Sequence, residues 1–572
     1  MKNQEIAKIF YDIADILEIK QVQWKPRAYR KAAGSIEAIS EDIEDIYKKK
    51  GVDGLMEIPG VGERLAKKIE EFIKTGKVRE YERVKKLIPA GLAKLIEIPG
   101  MGPKKALFLS KKLGIKTVAD LERAVKEKKI EKLRGFGEKS EENIEKGITL
   151  FKKGQERIVL WHALTTADNI KEQLRKFREV HKIEVCGSLR RMLETIGDID
   201  ILMASSKPEP VMNFFTAMPE VSRIISKGST RSTVLLEGNI QVDIRVVEDK
   251  SFGAALQYFT GSKEHNIKLR EIAIKKGWKL NEYGLFEKKT NKIIAGATEE
   301  EIYKKLGLDY IPPELRENRG EIEAAKIHSL PKIINYNDVR GDFHVHSKWS
   351  DGADSIEEIA GFAKKIGHNY IAITDHLGKL KVANSMDEIR VLKYIEEIDR
   401  VQKKFKDFRI FKGAEIEINK DSTLSASNNV LKKLDVVVAS IHLSFKGTME
   451  ENTKRIIGAM ENENVAVIGH PTTRLIYKRE PIALDWDRVF EKARQTGTFL
   501  EINSFPERSD LNDVNVRAAV EQGVKMVIST DAHSVEHLHF IGLGEAIARR
   551  GWAGKKDIIN TASLKDIERK LG

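Results

Sequence analysis

Three patterns of apolar and polar positions succeed one another along the 572 residues. To about residue 150 the pattern is helical, and MKNQEIAKIFYDIADIL reads as an amphipathic helix with one buried face. From 151 to about 320 the segments IEVCGS, DIDILMA, STVLLEG and IQVDIRVV read as strands mixed with helices. A polar stretch follows IPPELRENRGEIEAAK to about Asn337 and reads as a domain-joining segment. From Val339 onward short apolar runs alternate with amphipathic helices such as SIEEIAGFAKKIG and NVRAAVEQG, the pattern of an α/β barrel.

The helical region carries a repeat: IPGVGERLAKKI at 58–69, IPGMGPKKALFL at 98–109 and LRGFGEKSEENI at 133–144. Each is an apolar residue, a GxG turn (Gly60/Gly62, Gly100/Gly102, Gly135/Gly137) and a polar or basic helix start. Glycines permit a tight backbone approach there, and amides opening the next helix can receive a phosphate. Such helix-hairpin-helix units hold DNA by its backbone without reading bases. Charge agrees: residues 1–337 carry 64 Lys+Arg against 51 Asp+Glu, whereas 338–572 carry 36 of each, so the net +13 lies in the front part. Hydrophobic content of 41 % and charged content of 33 % indicate a globular, multidomain chain. No apolar run approaches a membrane helix, the N-terminus lacks a signal peptide's apolar core, and one cysteine, Cys186, suits a reducing cytoplasm.

Two sets of residues carry chemistry. In Gly197-Asp198-Ile199-Asp200-Ile201-Leu202 the two carboxylates sit at i and i+2, on one face of a strand, and Asp243 lies in a second alternating strand. Three aspartates on adjacent strands can hold two Mg²⁺ for in-line displacement at phosphorus. Upstream, Gly187-Ser188-Leu189-Arg190-Arg191 offers a turn, a hydroxyl and two guanidiniums for a triphosphate. The second set is His344, His346, Asp351, His376, Glu415, His442, His470, Asp531 and His533, each where a strand would hand over to a loop. Strand ends of a parallel barrel converge on one face, and such a set would hold Zn²⁺, Mn²⁺ or Fe for phosphoester hydrolysis. Nine of the 13 histidines fall after residue 337; His368, His537 and His539 fit no ligand position and read as ordinary surface or packing residues. Arg474 and Arg508 read as phosphate contacts for this second site.

The signature GSLRR, GDIDIL, VDIR and ALQYFTGSKEHNIKLR resembles the palm and thumb of family X DNA polymerases of the DNA polymerase β type. Residues 1–150 resemble that family's lyase and fingers regions, and 338–572 resemble a PHP (polymerase and histidinol phosphatase) domain. End to end, the chain resembles the prokaryotic PolX architecture that fuses them. The resemblance implies a helical lyase-like region at 1–85, fingers at 86–150, a nucleotidyltransferase palm at 151–248, a thumb at 249–319, a linker at 320–337 and a distorted (β/α)7 PHP barrel at 338–572. It makes Asp198, Asp200 and Asp243 the Mg²⁺-binding catalytic triad, with Asp243 the base for the primer 3′-hydroxyl. It places Arg157, Gly187, Ser188 and Arg191 at the triphosphate, Tyr258, Phe259, Gly261 and Ser262 in the nucleotide pocket, and Asn266 and Arg270 at the minor groove. The nine-residue set matches the full PHP motif and implies up to three Mn²⁺ or Zn²⁺ ions and a 3′–5′ exonuclease, with phosphatase or abasic-site endonuclease activity beside it.

The implied function is gap-filling, template-directed synthesis in DNA repair, taking gapped or primer–template DNA and dNTPs, as a cytoplasmic monomer alongside other repair enzymes. Two departures stand out: Gln241 replaces an arginine two residues before the third aspartate, and Trp24 stands where the family has a histidine. Lys68 aligns with the family's Schiff-base lysine, flanked by Lys25, Tyr29 and Arg64, although a DNA-backbone lysine is the simpler account. Two alternatives remain. One is a nucleotidyltransferase acting on RNA ends or small molecules; the other is a phosphoesterase whose front half binds DNA but does not polymerise.

Overall fold

The computed structural model describes residues 2–19, 22, 25–38, 43–85, 92–96, 98–378, 380 and 383–571; Trp24 lies outside these. Helices Lys2–Ile19, Lys25–Ala38, Ile43–Met56 and Glu63–Thr75 close around Phe10, Ile13, Tyr29, Ile36, Ile69 and Phe72. Helices Pro103–Leu113, Val118–Lys126 and Glu138–Glu156 surround a second core at Leu95, Ile98, Leu109, Leu121 and Ile144.

The three GxG turns are one structure repeated, but the two glycines of each pair do different things. Gly60, Gly100 and Gly135 hold φ of 81°, 79° and 92°, where a side chain is strained. The amides of Val61, Met101 and Phe136 donate to the carbonyls of Ile58, Ile98 and Leu133, each at 2.9 Å. The second glycines, Gly62, Gly102 and Gly137, do not take a positive φ. Gly62 and Gly102 are extended, at φ of −84° and −71°, and Gly137 is not among the positive-φ glycines, so any residue could adopt these backbones. A Cβ on Gly62, Gly102 or Gly137 would meet nothing within 4 Å, so packing inside the protein does not demand glycine there either. Their structural part is to open the next helix. The Gly62, Gly102 and Gly137 carbonyls accept from Ala66, Ala106 and Glu141 at 3.0, 3.0 and 3.1 Å. The first exposed turn of that helix then carries Arg64, Lys105 or Lys139.

A five-stranded sheet follows, in the order Val180–Val185, Asp198–Ser205, Gln241–Val247, Arg231–Leu236 and Val221–Lys227. The two central strands run parallel with Asp200 opposite Asp243 and Asp198 opposite Gln241. Ile199, Ile201, Val242 and Ile244 face the other way into the core, so alternation alone delivers the aspartates to one surface.

Helices Phe252–Thr260, Lys263–Lys275 and Glu299–Leu306, with the three-stranded sheet Trp278–Asn281, Gly284–Glu287 and Ile293–Ala295, form the next unit. It is bolted to the GSLRR turn by Glu299, which accepts from Arg190 at 2.9 and 2.7 Å and from the fully buried Arg316 at 2.5 Å. Residues 320–337 form more than a bare connector. Helix Glu321–Lys326 puts Ile322 and Ala325 into this same core, and buried Glu321 pairs with His265 at 2.7 Å.

From Gly341 seven strands run parallel in chain order: Gly341–Val345, Tyr370–Ile373, Arg409–Glu417, Val436–Ser440, Val467–Ile468, Phe499–Asn503 and Met526–Ser529. A parallel bridge between Val345 and Ala532 brings the last strand back to the first, leaving a nearly closed barrel. The barrel and the five-stranded sheet share a core. Phe540 and Leu543 are buried in the sheet's apolar cluster, with Trp161 and Phe540 edge to face at 5.0 Å. Among the described residues no helix is long and apolar enough to cross a membrane.

Candidate functional sites: an aspartate trio and a barrel-mouth cluster

At the first site, one carboxylate oxygen from each of Asp198, Asp200 and Asp243 comes within 4.8 Å of the others. Asp198 is exposed and Asp243 buried, so the trio spans the boundary between solvent and sheet. Thr233 Oγ1 donates to Asp243 Oδ1 at 2.6 Å and Gln241 Nε2 donates to Oδ2 at 2.7 Å. Both oxygens of Asp243 are therefore aimed by neighbours, one of them the amide of Gln241. Burial, with Asp198 and Asp243 beside it, pushes Asp200 up to about 7, as expected of carboxylates crowded without a cation. Gly187 holds φ of 60°, and a Cβ there would stand 2.5 Å from Asp200 Oδ2, so a side chain at this turn is strained and crowds Asp200.

The other residues expected at a nucleotide site each have specific partners. Arg157 donates to Thr195 and lies against Gly197, next to Asp198. Arg191 donates to Glu317 at 2.9 Å and to the Thr260 carbonyl at 2.6 Å, beside Gly261. Ser188 is half-buried in the same turn. Tyr258 and Phe259 meet edge to face at 5.1 Å, with Arg245 over Phe259. Ser262 caps the helix that carries Asn266 and, one turn on, Arg270; the Asn266 amide is held by Gln257 and the Tyr258 carbonyl.

At the barrel mouth all nine residues converge. His346, Asp351, His376 and His533 form one group, His344, His346 and Asp531 a second, and His376, Glu415 and His442 a third. His470 Nε2 joins Glu415 at 3.0 Å. His346 lies between His376 and His533, with ring centroids at 4.5 and 4.4 Å. Burial alone would raise Glu415, but His442, His344 and His376 outweigh it and hold the carboxyl well below its usual range. Burial pushes His376 down to about 3 and His470 to about 4, so both rings are neutral near pH 7.

The donor set fits metal ions. His344 Nε2, both ring nitrogens of His346 and His470 Nδ1 are buried without a hydrogen-bond partner among the described residues, a costly state unless a cation takes the lone pairs. Two further carboxylates orient the ligands, as carboxylates behind ligating histidines do. Glu501 accepts from the His470 amide at 2.6 Å and sits 2.8 Å from His344 Nδ1. Glu417 sits 3.0 Å from His442 Nδ1 and pairs with Arg455 at 3.0 Å. The sequence reading passed over both. Their signal was a glutamate inside an apolar strand, Glu501 alone in FLEIN and Glu417 two residues beyond Glu415 in AEIE, where a buried charge demands a partner.

Several expectations change. Arg474, expected at a phosphate, is engaged within the protein: its guanidinium grips Glu194 at 2.6 and 3.2 Å, across the junction with the sheet domain. His537 is more than packing, because its Nδ1 accepts the His533 backbone N–H at 3.2 Å and so holds the ligand loop. His539 does pack, against Phe362, and His368 is buried away from the cluster. Lys68 is not a free amine; it forms a 2.5 Å ion pair with Glu80, which also accepts from Tyr29.

Comparison with known proteins agrees along the whole chain. Family models match for a helix-hairpin-helix domain (1–78), a SAM-like helix-hairpin-helix tandem (92–147), the DNA polymerase beta palm (162–246) and thumb (255–317), and a PHP domain (342–505). The chain is 39 % identical to the DNA polymerase/3'-5' exonuclease PolX of Bacillus subtilis (strain 168), over 99 % of each. A probable phosphatase of Thermoanaerobacter sp. (strain X514) is 34 % identical over 34 % of this chain and 78 % of its own length. DNA polymerase lambda of Rattus norvegicus is 22 % identical over 55 % of this chain and 56 % of its own. Polymerase and PHP domains of this kind depend on metal ions, in keeping with the ligand clusters. With an aspartate trio on a palm, a complete histidine–carboxylate cluster on a barrel and a full-length relative in hand, the chain belongs to the PolX family of DNA polymerase/3'-5' exonucleases.

Proposed function

We propose that the protein fills short gaps in DNA by template-directed synthesis at the aspartate trio, and trims 3′ ends at the barrel mouth. The observation that carries the first half is the parallel register that sets Asp200 beside Asp243 with Asp198 in reach. Two Mg²⁺ held by the trio would supply charge neutralisation and alignment for displacement at phosphorus. Asp243, with both oxygens steered by Thr233 and Gln241, is the group placed to take the proton of the primer 3′-hydroxyl. Ser188, Arg157 and Arg191 bind the triphosphate, with Arg191 leaving Glu317 to do so. Tyr258 and Phe259 line the sugar side, and Asn266 and Arg270 face the minor groove. The hairpin turns grip the DNA backbone through their amides and basic helix starts. In this reading the open space over Gly62, Gly102 and Gly137 is where a phosphate comes close to those amides, which supplies the reason for glycine that the turn itself does not.

In the barrel the nine ligands would hold up to three Mn²⁺ or Zn²⁺ ions, whose chemistry is the activation of water for phosphoester hydrolysis. Glu501, Glu417 and the His537 ring keep the ligating residues in register. The phosphatase relatives favour phosphomonoester hydrolysis as a second activity of the same cluster.

Asp198→Ala/Asp200→Ala and His344→Ala/His346→Ala, each assayed on a gapped duplex with labelled nucleotide, test this. The first variant is expected to lose extension and keep 3′-end removal; the second is expected to do the reverse. Normal extension by the aspartate variant would overturn the polymerase assignment.

A further inference from the structure

The sheet domain reaches into the barrel's reaction site through one ion pair. Arg508 stands at the edge of the nine-residue cluster, its Nε donating to Asp531 Oδ2 at 3.0 Å, and its charge bears on both His442 and His470. Its Nη1 is buried and has no hydrogen-bond partner among the described residues. A buried guanidinium arm without an acceptor costs free energy unless a ligand supplies one. Nearby is a second cation. Arg479, stacked on Phe445 at 4.0 Å, makes no ion pair among the described residues, and burial together with the Arg508 charge lowers it to about 10. Two half-buried guanidiniums repelling one another beside a hydrolytic cluster is an arrangement that an anion relieves.

Arg508 itself is positioned from elsewhere. Its backbone carbonyl accepts from Arg474 Nε at 2.8 Å, and the adjacent Ser509 carbonyl accepts from Arg474 Nη2. The same guanidinium is pinned by Glu194, three residues after Arg191 in the sheet domain, with both carboxylate oxygens engaged. The chain of contact is Glu194 to Arg474 to the 508–509 backbone to Arg508 to Asp531.

We propose that Arg508 binds a phosphate of the nuclease's DNA substrate, and that Glu194 of the palm is a positioning residue for that contact, acting through Arg474. This rests on the reading of the barrel as a nuclease. Arg479 adds a second positive charge near this site. The palm thereby tunes the nuclease without touching its substrate.

The test uses the full-length protein, Mn²⁺ and a 5′-labelled single-stranded oligodeoxynucleotide. Variants are Arg508→Ala, Glu194→Gln, Arg474→Lys and the pair Glu194→Gln/Arg508→Ala, with Mn²⁺ binding followed by electron paramagnetic resonance. Arg508→Ala is expected to raise KM for the oligonucleotide about 10- to 100-fold, with kcat changed less. Glu194→Gln and Arg474→Lys should each raise KM several-fold, leaving the number of bound Mn²⁺ unchanged. The double variant should be no worse than Arg508→Ala alone, because Glu194 acts only through Arg508. Multiplying effects in the double variant, or loss of Mn²⁺ in Glu194→Gln, would overturn the positioning role. An unchanged KM in Arg508→Ala would overturn the phosphate site. Absence of 3′-end removal by the unaltered protein would instead defeat the nuclease reading on which both depend.

Discussion

Single carboxylates decide how each centre is held. Glu501 is fully buried, and its two oxygens serve His344 and the His470 amide. Glu501→Gln keeps the volume but weakens the acceptor behind a ligating ring. Metal affinity of the barrel is expected to fall about 10- to 100-fold, measured by Mn²⁺ titration, with primer extension unaffected. Gly187 is the matching position at the palm. Gly187→Ala forces a methyl against Asp200 at a positive φ and displaces a carboxylate that must sit within a fraction of an ångström. Extension on a gapped duplex should drop about 100-fold while 3′-end removal continues.

At the scale of elements, Glu299 ties the thumb to the palm. Burial would raise its carboxyl, but Arg316 and Arg190 overcome that and hold it at about 2, against an ordinary 4.5. A depressed acid stabilises the fold fully above its unfolded pKa and loses that contribution as pH falls through the folded value. That depression corresponds to about 3 kcal/mol, present above pH about 4.5 and gone below about 2. Glu299→Gln should therefore be destabilised most at neutral pH, and the gap to the unaltered protein should narrow across the acid limb of a stability-versus-pH titration. A curve parallel to that of the unaltered protein would contradict this. The hairpins offer a separate prediction. Arg64, Lys105 and Lys139 each open an exposed helix after a GxG turn. Replacing each with Gln should lower the slope of log affinity for duplex DNA against log salt by about one, uniformly across sequences.

At the scale of the whole molecule, palm and barrel behave as one body. Phe540 of the barrel is 7 % exposed and sits in the palm's apolar cluster against Trp161 and Phe505. Phe540→Ala should cost about 3–5 kcal/mol. It should raise hydrogen exchange in the palm strands as well as the barrel, an outcome that independent domains would not give.

Local rules made much of this legible beforehand. Strand alternation put Asp198 and Asp200 on one face from the letters alone, and barrel strand ends brought together nine candidate ligands spread over 190 residues of chain, from 344 to 533. Glycine's tolerance of positive φ marked the three hairpins at Gly60, Gly100 and Gly135, while the letters could not separate these from Gly62, Gly102 and Gly137, because φ is not written in residue type. Nor could they supply partnership between segments distant in sequence. Arg474 looked like a phosphate contact because a guanidinium binds any oxyanion, and only tertiary structure decided that the oxyanion is Glu194, 280 positions earlier. Lys68 could be read as a nucleophile until Glu80 closed on it. Residues 320–337 looked like a connector because their apolar positions are few, yet Ile322 and Ala325 found a core already built by the thumb. Periodicity is a property of neighbouring residues and survives in one dimension; charge pairing and shared burial depend on distances that exist only once the chain has folded.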